Sequence, residues 1–469
     1  MNTIQTSFKK IHFIGICGTA MGSVAAMLQD QGYEVTGSDA QVYPPMSTFL
    51  QAKGIRIMEG YSENNLSHRP DLVVVGNAIS RGNPELEAML DHRFYYLSLP
   101  ETLKLFFLRH SRNLVVTGTH GKTSTTSLLA WLFEAAGLKP SYMIGGIPLN
   151  FAQGCTHQSG KNWILEGDEY DTAFFDKRSK FLHYLPELVI INNVEFDHAD
   201  IYANIDEIKK TFRRLVDIVP RKGMILVNAD DANAIEVTRQ AQAQIIEIGF
   251  SENAGVRITN FNTDSRGVSF DLMGHTFTVP IFGKHNAHNA AMTIAAAHCY
   301  GISLENIKEF LLGFKGIKRR LEVVAEIKGI TLIDDFGHHP TALRETITAL
   351  RTKYPGRRLW ALFEPRSNTT RRAVFQHDLP AALALADRVG LIKVARADQL
   401  PENDRLNPEQ LMEDIRKQGV PALYEDEVDS LLKKVIPELK PGDVVAAFSN
   451  GNFDGLLTKL KEKLEATLA

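Results

Sequence analysis

The sequence predicts an α/β protein of three domains, each built on a mostly parallel sheet covered by helices. Three observations carry this. Short apolar runs ending at Gly, Asp or Asn alternate with longer amphipathic stretches along most of the chain, the pattern of buried parallel strands under helices. The length, 469 residues, exceeds what one hydrophobic core usually serves. The alternation also changes character twice. At 251–282 it gives way to the short segments VRITNFN, GVSFDLM and HTFTVPIF, and at Lys315–Arg320 to the basic knot KGIKRR. The expected division is 1–108, 109–318 and 319–469, with the 251–282 stretch as a small antiparallel β edge on the central domain.

Taken in order, IHFIGI, YEVTGSD and DLVVVGN are the strands of the first, Rossmann-like domain. NLVVTGT, WILEGD, ELVIINN and MILVNAD are those of the second, with amphipathic helices at SLLAWLFEAAGL and IDEIKKTFRRLVDIV. GITLIDDF, LWALFEP, RVGLIKV and DVVAAFS supply a third, again Rossmann-like, sheet. Ligands of such sheets gather at the carboxyl ends of the strands, where the polar motifs cluster.

Composition narrows the function. Hydrophobic residues make up 44% and charged residues 23%, with a formal net charge of −3. That balance gives no polycationic surface for nucleic acid or an anionic membrane, so an anionic substrate must be held by local sites. Three widely spaced cysteines (Cys17, Cys155, Cys299) argue against a disulfide framework and for a reducing compartment. The run Ile11–Gln29 lacks Asp, Glu, Lys and Arg, but its glycines cluster at 15, 18 and 22, where a strand turns into a helix rather than crossing a membrane. The N-terminus, MNTIQTSFKK, lacks the apolar core and cleavage site of a signal peptide. The expectation is a cytoplasmic protein; oligomeric state stays open.

The strongest motif is Gly118-Thr119-His120-Gly121-Lys122-Thr123, between the strand LVVT and the helix that follows. A glycine-rich turn converges backbone N–H groups on phosphate oxygens at a helix N-terminus. Lys122 supplies a point charge for phosphates, and the Thr123 hydroxyl is a ligand for Mg²⁺. The loop lacks the first glycine of the usual P-loop spacing. Acidic or amide-rich strand ends follow at Glu166-Gly167-Asp168-Glu169-Tyr170-Asp171 and Asn192-Asn193-Val194-Glu195-Phe196-Asp197-His198, offering the oxygen ligands that magnesium prefers; singly, each also reads as a solvated strand end. Asn286 and Asn289, three apart at the start of a helix, share one face or simply cap it. Asp334-Asp335-Phe336-Gly337-His338-His339 ends a strand of the third domain. Its paired histidines are not expected to bind a transition metal, because no Cys or His partner lies nearby in sequence.

As a set, and in this order along essentially the whole chain, these motifs resemble the Mur ligase family. The resemblance implies an N-terminal UDP-binding domain, a central P-loop ATPase domain and a C-terminal domain that binds the incoming peptide and closes on ATP. It implies an ATP- and Mg²⁺-dependent ligase that forms a C–N bond between an acid and an amino acid or peptide. Residue by residue, it places Lys122, Glu166 and His198 in catalysis. It puts Gly118, Thr119, His120, Gly121, Lys122, Thr123, Asn286, Asn289, Arg320 and Asp335 around ATP, with Arg319 as an alternative register for Arg320. Thr123, Glu166 and His198 become the metal ligands.

Within the family, HFIGICGTAMG and VTGSD are similar to members that bind UDP-N-acetylmuramate, implying a UDP-substrate site at Gly15, Gly18, Thr19, Ser38 and Asp39. Cys17 interrupts the GxGxxG pattern, which weighs against a dinucleotide cofactor and a dehydrogenase. GSDAQVYPPMST, EGDEYDTAFFDKRSKFLHY, EPRSNT and SNGNFDG resemble members that attach L-alanyl-γ-D-glutamyl-meso-diaminopimelate, the murein tripeptide, in murein recycling. Lys177, Arg178 and Lys180 in FFDKRSKF stand between the two acidic strand ends, near the expected substrate. The L-alanine-adding biosynthetic members are the alternative, and a catalytically inactive nucleotide-binding relative the reading from another class. Folylpolyglutamate synthase lacks a counterpart of residues 1–108.

Overall fold

The computed structural model describes residues 8–264 and 266–466. Apolar β-branched runs such as Leu72–Val75 and Leu188–Ile191, buried at every position, have no polar face to give to solvent, so they sit inside sheets covered on both sides. The first sheet has five parallel strands in the order 56–59, 34–39, 10–14, 72–75, 96–98. Its strand order reverses beside Lys10–Ile14, which creates a crevice at that strand's carboxyl end.

The central sheet has eight strands in the order 256–257, 244–249, 224–228, 188–191, 112–117, 162–166, 141–143, 155–156, all parallel but the last pair. The expected antiparallel edge is a separate three-stranded sheet, 259–264, 267–272 and 275–279. The third sheet, ordered 322–327, 330–335, 444–448, 359–363, 388–392, 422–425, is parallel except for its first pair.

The surface helices bury one stripe each, whereas Lys284–Cys299 is buried all round from Asn286 to Ala297. In Ile205–Asp217 the buried residues are Ile208, Thr211, Phe212, Leu215 and Val216, and the Asn204 side chain accepts from the N–H groups of Asp206 and Glu207, a capped start with acids in the first turn. The helices Thr19–Asp30, Lys122–Ala135 and Lys284–Cys299 differ: each follows a glycine and has no side-chain cap. Their first N–H groups are left for something else. The run Ile11–Gln29 is the strand Lys10–Ile14 and most of the first of these helices. Among the described residues no helix is long and apolar enough to cross a membrane.

Candidate active site

Register decides what meets at the centre. Strand 112–117 lies between 188–191 and 162–166, with Thr117 beside Ile191 and Val116 beside Glu166. The loops that leave these three strands therefore emerge side by side. Gly118 and Gly121 adopt positive φ (131° and 79°), which suits glycine alone. At Gly121 a Cβ would also stand 2.7 Å from Asn289 Oδ1, so the turn is held against the helix carrying Asn286 and Asn289. Asn289 donates to Asn286 Oδ1 at 3.2 Å; the two do share a face.

Lys122 Nζ is tied to Glu169 Oε2 at 2.8 Å and Oε1 at 3.0 Å, and to the Gly118 carbonyl at 2.7 Å. Glu169 is almost wholly buried. Its other partner is His198 Nε2 at 3.1 Å. Burial disfavours the charge on each of these groups, yet the mutual attraction wins. The Glu169 carboxylate is held below its usual range, and His198 is pushed up to about 9 despite its desolvation, by Glu169 and Asp197. His198 adopts a left-handed backbone (φ 55°), strain that its surroundings must hold in place.

Thr123 donates to Glu166 Oε1 at 2.9 Å, and the Gly145 N–H donates to Oε2 at 2.7 Å. Asp168, Glu169 and His198 bring three ligand atoms within 4.8 Å of one another. Two hydroxyl or carboxylate oxygens beside a carboxylate–imidazole group make a donor set that suits a hard divalent cation. Lys180 reaches Asp168 at 2.5 Å, while Lys177 and Arg178 pair with Asp171 and Asp176. The basic stretch is thus neutralised by its own acids.

A cavity of about 400 Å³ opens between the central and third domains, lined among others by Gly121, Thr123, Asn286, Asn289, Arg320 and Asp335, a volume in the range of small-molecule sites. Arg320, not Arg319, faces it: Arg320 reaches Thr123 Oγ1 at 3.5 Å, whereas Arg319 bonds Asp334 and the carbonyls of Ser449 and Gly451. Asp335 accepts from the Leu321 and Gly337 N–H groups.

The third domain is docked on the central one by bonds that sequence reading did not anticipate. Thr369 donates to Asp197 at 2.6 Å, Asn368 to Asp200 at 2.8 Å and Thr341 to Glu195 at 2.6 Å; the His339 ring bonds the Phe196 carbonyl at 3.1 Å. Beyond His338, no Cys or His lies near His339 in sequence, but the fold brings neighbours to it. His120 and Glu195, distant in sequence, approach it, with the two imidazole centroids 4.2 Å apart and the rings tilted by 46°. Both its nitrogens are nevertheless engaged, Nδ1 by the Thr341 N–H at the helix start.

Burial and the neighbouring His120 lower the pKa of His339 to about 3, while the unfolded chain takes up that proton near about 6.5. Its contribution to stability is present above the unfolded value and is lost as pH falls toward the folded one. Thermal melts should therefore drop between pH 7 and 5, and His339→Asn, which keeps a helix cap, should flatten that slope.

In the first domain, Gly15 (φ 86°) begins the turn, and the Cys17 N–H donates to Asp39 Oδ2 at 2.8 Å. Gly18 and Thr19 are exposed at the uncapped helix start. Ser38 departs from the expectation of a ligand-facing side chain. It is fully buried, donates to Glu85 at 2.8 Å, and its carbonyl accepts from the Gly15 and Ile16 N–H groups. It shapes the loop from beneath.

The chain matches known proteins along nearly its whole length. Three family models match: "Mur ligase family, catalytic domain" over residues 10–111, "Mur ligase middle domain" over 116–297, and "Mur ligase, glutamate ligase domain" over 319–451. The UDP-N-acetylmuramate–L-alanyl-γ-D-glutamyl-meso-2,6-diaminoheptandioate ligases of Haemophilus influenzae and Escherichia coli are 42% and 41% identical to the chain. Each alignment covers 97% of it, and 99% and 98% of those proteins. A UDP-N-acetylmuramate–L-alanine ligase of Clostridium novyi is 31% identical over 96% of the chain and 97% of its own length. Among solved structures, a murein peptide ligase from Psychrobacter arcticus superposes with a TM-score of 0.73 at 34% identity, covering 97% of this chain and 98% of that one.

Proposed function

The chain belongs to the Mur ligase family, and on that premise we propose that it joins UDP-N-acetylmuramate to L-alanyl-γ-D-glutamyl-meso-diaminopimelate in murein recycling, consuming ATP and using Mg²⁺. The observation that carries the choice of acceptor is the identity of 41–42% to two tripeptide ligases over nearly the full chain, against 30–32% for L-alanine ligases. The setting for these substrates is the cytoplasm.

A carboxylate at neutral pH is a poor acyl donor until one oxygen becomes a leaving group. The muramate carboxylate attacks the γ-phosphorus of ATP, the bond to the ADP oxygen breaks, and an acyl phosphate results. The alanyl amine of the peptide then attacks the acyl carbon, losing a proton as the amide forms, and phosphate departs. Such transfer needs positioning and charge neutralisation more than covalent help from the protein.

In this reading the backbone of residues 118–123 cradles the phosphates, and Lys122 leaves Glu169 to meet the transferred group. Asn286, Asn289, Arg320 and Asp335 enclose the nucleotide. Thr123, Glu166 and His198 would hold magnesium, which when bound offsets phosphate charge. Gly15, Gly18, Thr19 and Asp39 frame the UDP end of the muramate substrate.

The deciding experiment is phosphate release from ATP with UDP-N-acetylmuramate and Mg²⁺, comparing the tripeptide with L-alanine as acceptor. Turnover with the tripeptide and little with L-alanine is expected. Turnover with L-alanine alone would assign the biosynthetic reaction instead.

A further inference from the structure

Beneath the turn assigned to the UDP substrate lies a buried polar group that the reaction does not use. His12 and Glu85 are both fully buried, with His12 Nε2 2.6 Å from Glu85 Oε1. His12 stands opposite Thr36 in the register of strands 10–14 and 34–39, and its Nδ1 lies 2.8 Å from the Thr36 hydroxyl. Ser38, two residues on and on the same face of the sheet, donates to Glu85 Oε1 at 2.8 Å. The other carboxyl oxygen, Oε2, accepts from Asn65 Nδ2 at 2.7 Å and from the Ser62 N–H at 3.3 Å.

These residues belong to four neighbouring strands. Ser62 and Asn65 follow strand 56–59, Ser38 lies in 34–39 and His12 in 10–14, and Glu85 opens the helix 84–91 that follows strand 72–75. One carboxyl group therefore fastens the carboxyl ends of all four. From there the connection to the substrate turn is short. The Ser38 carbonyl accepts from the Gly15 and Ile16 N–H groups at 2.8 and 3.0 Å, and Asp39, the next residue, holds the Cys17 N–H. On the other side the Asp39 carbonyl accepts from the Gly60 N–H at 2.8 Å, and Asn65 donates to the Gly60 carbonyl at 3.0 Å.

A buried polar network is costly unless its members are satisfied, and apolar side chains of the same volume would pack helix on sheet without that cost. What apolar contacts cannot give is direction. Backbone N–H groups that hold an anion must be aimed to within roughly 0.5 Å. The helix start at Thr19 has no side-chain cap to aim it; the bonds that fix its approach run back to Glu85.

Resting on the placement of UDP-N-acetylmuramate at Gly15, Gly18, Thr19 and Asp39, we propose that Glu85, with His12 and Ser38, is a positioning residue for that substrate. It touches no reactant and sets affinity by holding the turn. The test uses the full chain as wild type, Glu85→Gln, Ser38→Ala and Met89→Ala. It reads calorimetric Kd for UDP and for UDP-N-acetylmuramate beside steady-state phosphate release and melting temperature. Glu85→Gln and Ser38→Ala should each weaken both ligands, and raise the KM for UDP-N-acetylmuramate, by at least about tenfold. Their kcat and KM for ATP should stay within about threefold, because the defect lies in seating one substrate. Met89 is fully buried on the same helix but outside the network. Met89→Ala should lower the melting temperature and leave both Kd values within about twofold.

Kd values in Glu85→Gln and Ser38→Ala that match wild type would overturn the proposal. So would losses that follow melting temperature alone, with Met89→Ala weakening both ligands as much. Ser38→Ala removes one hydroxyl and leaves Glu85 its other partners, so it decides the matter even where Glu85→Gln folds poorly. A wild type that binds neither UDP nor UDP-N-acetylmuramate would remove the substrate assignment and the proposal with it, a result distinct from both failures above.

Discussion

Lys122→Ala is expected to lower kcat at saturating substrates by at least about a hundredfold, roughly 3 kcal/mol of transition-state stabilisation. Charge builds on the γ-phosphoryl oxygens as the bond to ADP stretches, and Lys122 is the one cation on the phosphate loop's own helix start. Its ammonium stays charged: burial lowers its pKa, but Glu169 and Asp168 more than reverse this. Two effects could contribute to the loss. Removing Lys122 leaves Glu169 buried with only His198 to answer it, which costs stability as well as rate. Melting temperature measured beside phosphate release separates them: a folded variant with a hundredfold loss places Lys122 on the reaction path. Near-normal kcat would remove it from there.

The phosphate loop was legible because its logic is local. A buried strand, a glycine turn and a helix fall within about two dozen residues, and the chemistry follows from backbone geometry. The sheet order that aligns Gly118, Glu166 and Asn192 was partly legible too, since each motif ends a strand of the same run. Pairings across domains were not. Thr369 meets Asp197 from 172 residues away, and His120 finds His339 only because the third domain docks where it does; spacing along a chain carries no trace of such contacts. The inward turn of Ser38 was hidden for a related reason: its partner Glu85 sits on a helix 47 residues later. Glu169 is the instructive case. It lay inside an acidic cluster already singled out, but the family resemblance pointed to Glu166 within that cluster and not to Glu169. The burial that gives Glu169 its influence is not readable from sequence.

That influence can be measured. Glu169 is the shared counter-ion of Lys122 and His198, so Glu169→Gln keeps the shape and removes the charge that holds two cations together. Breaking a buried pair of this kind costs about 3 kcal/mol or more, and here it leaves the two cations facing one another. His198, held up to about 9 chiefly by Glu169 against its own desolvation, should fall below its ordinary value in the variant. The sign follows by linkage. In wild type without metal, the stability from the His198–Glu169 pair is fully present below about pH 6.5 and is lost as pH rises through about 9. The variant should lack that decline between pH 7 and 9. An NMR titration of the His198 ring, assigned with His198→Asn, reads the shift directly, and turnover should drop at least about a hundredfold in parallel as Lys122 loses its positioning. A His198 that still titrates near 9 in Glu169→Gln would mean that Asp197 alone sets its charge, and Glu169 would lose its place at the junction of the phosphate and metal sides of the site.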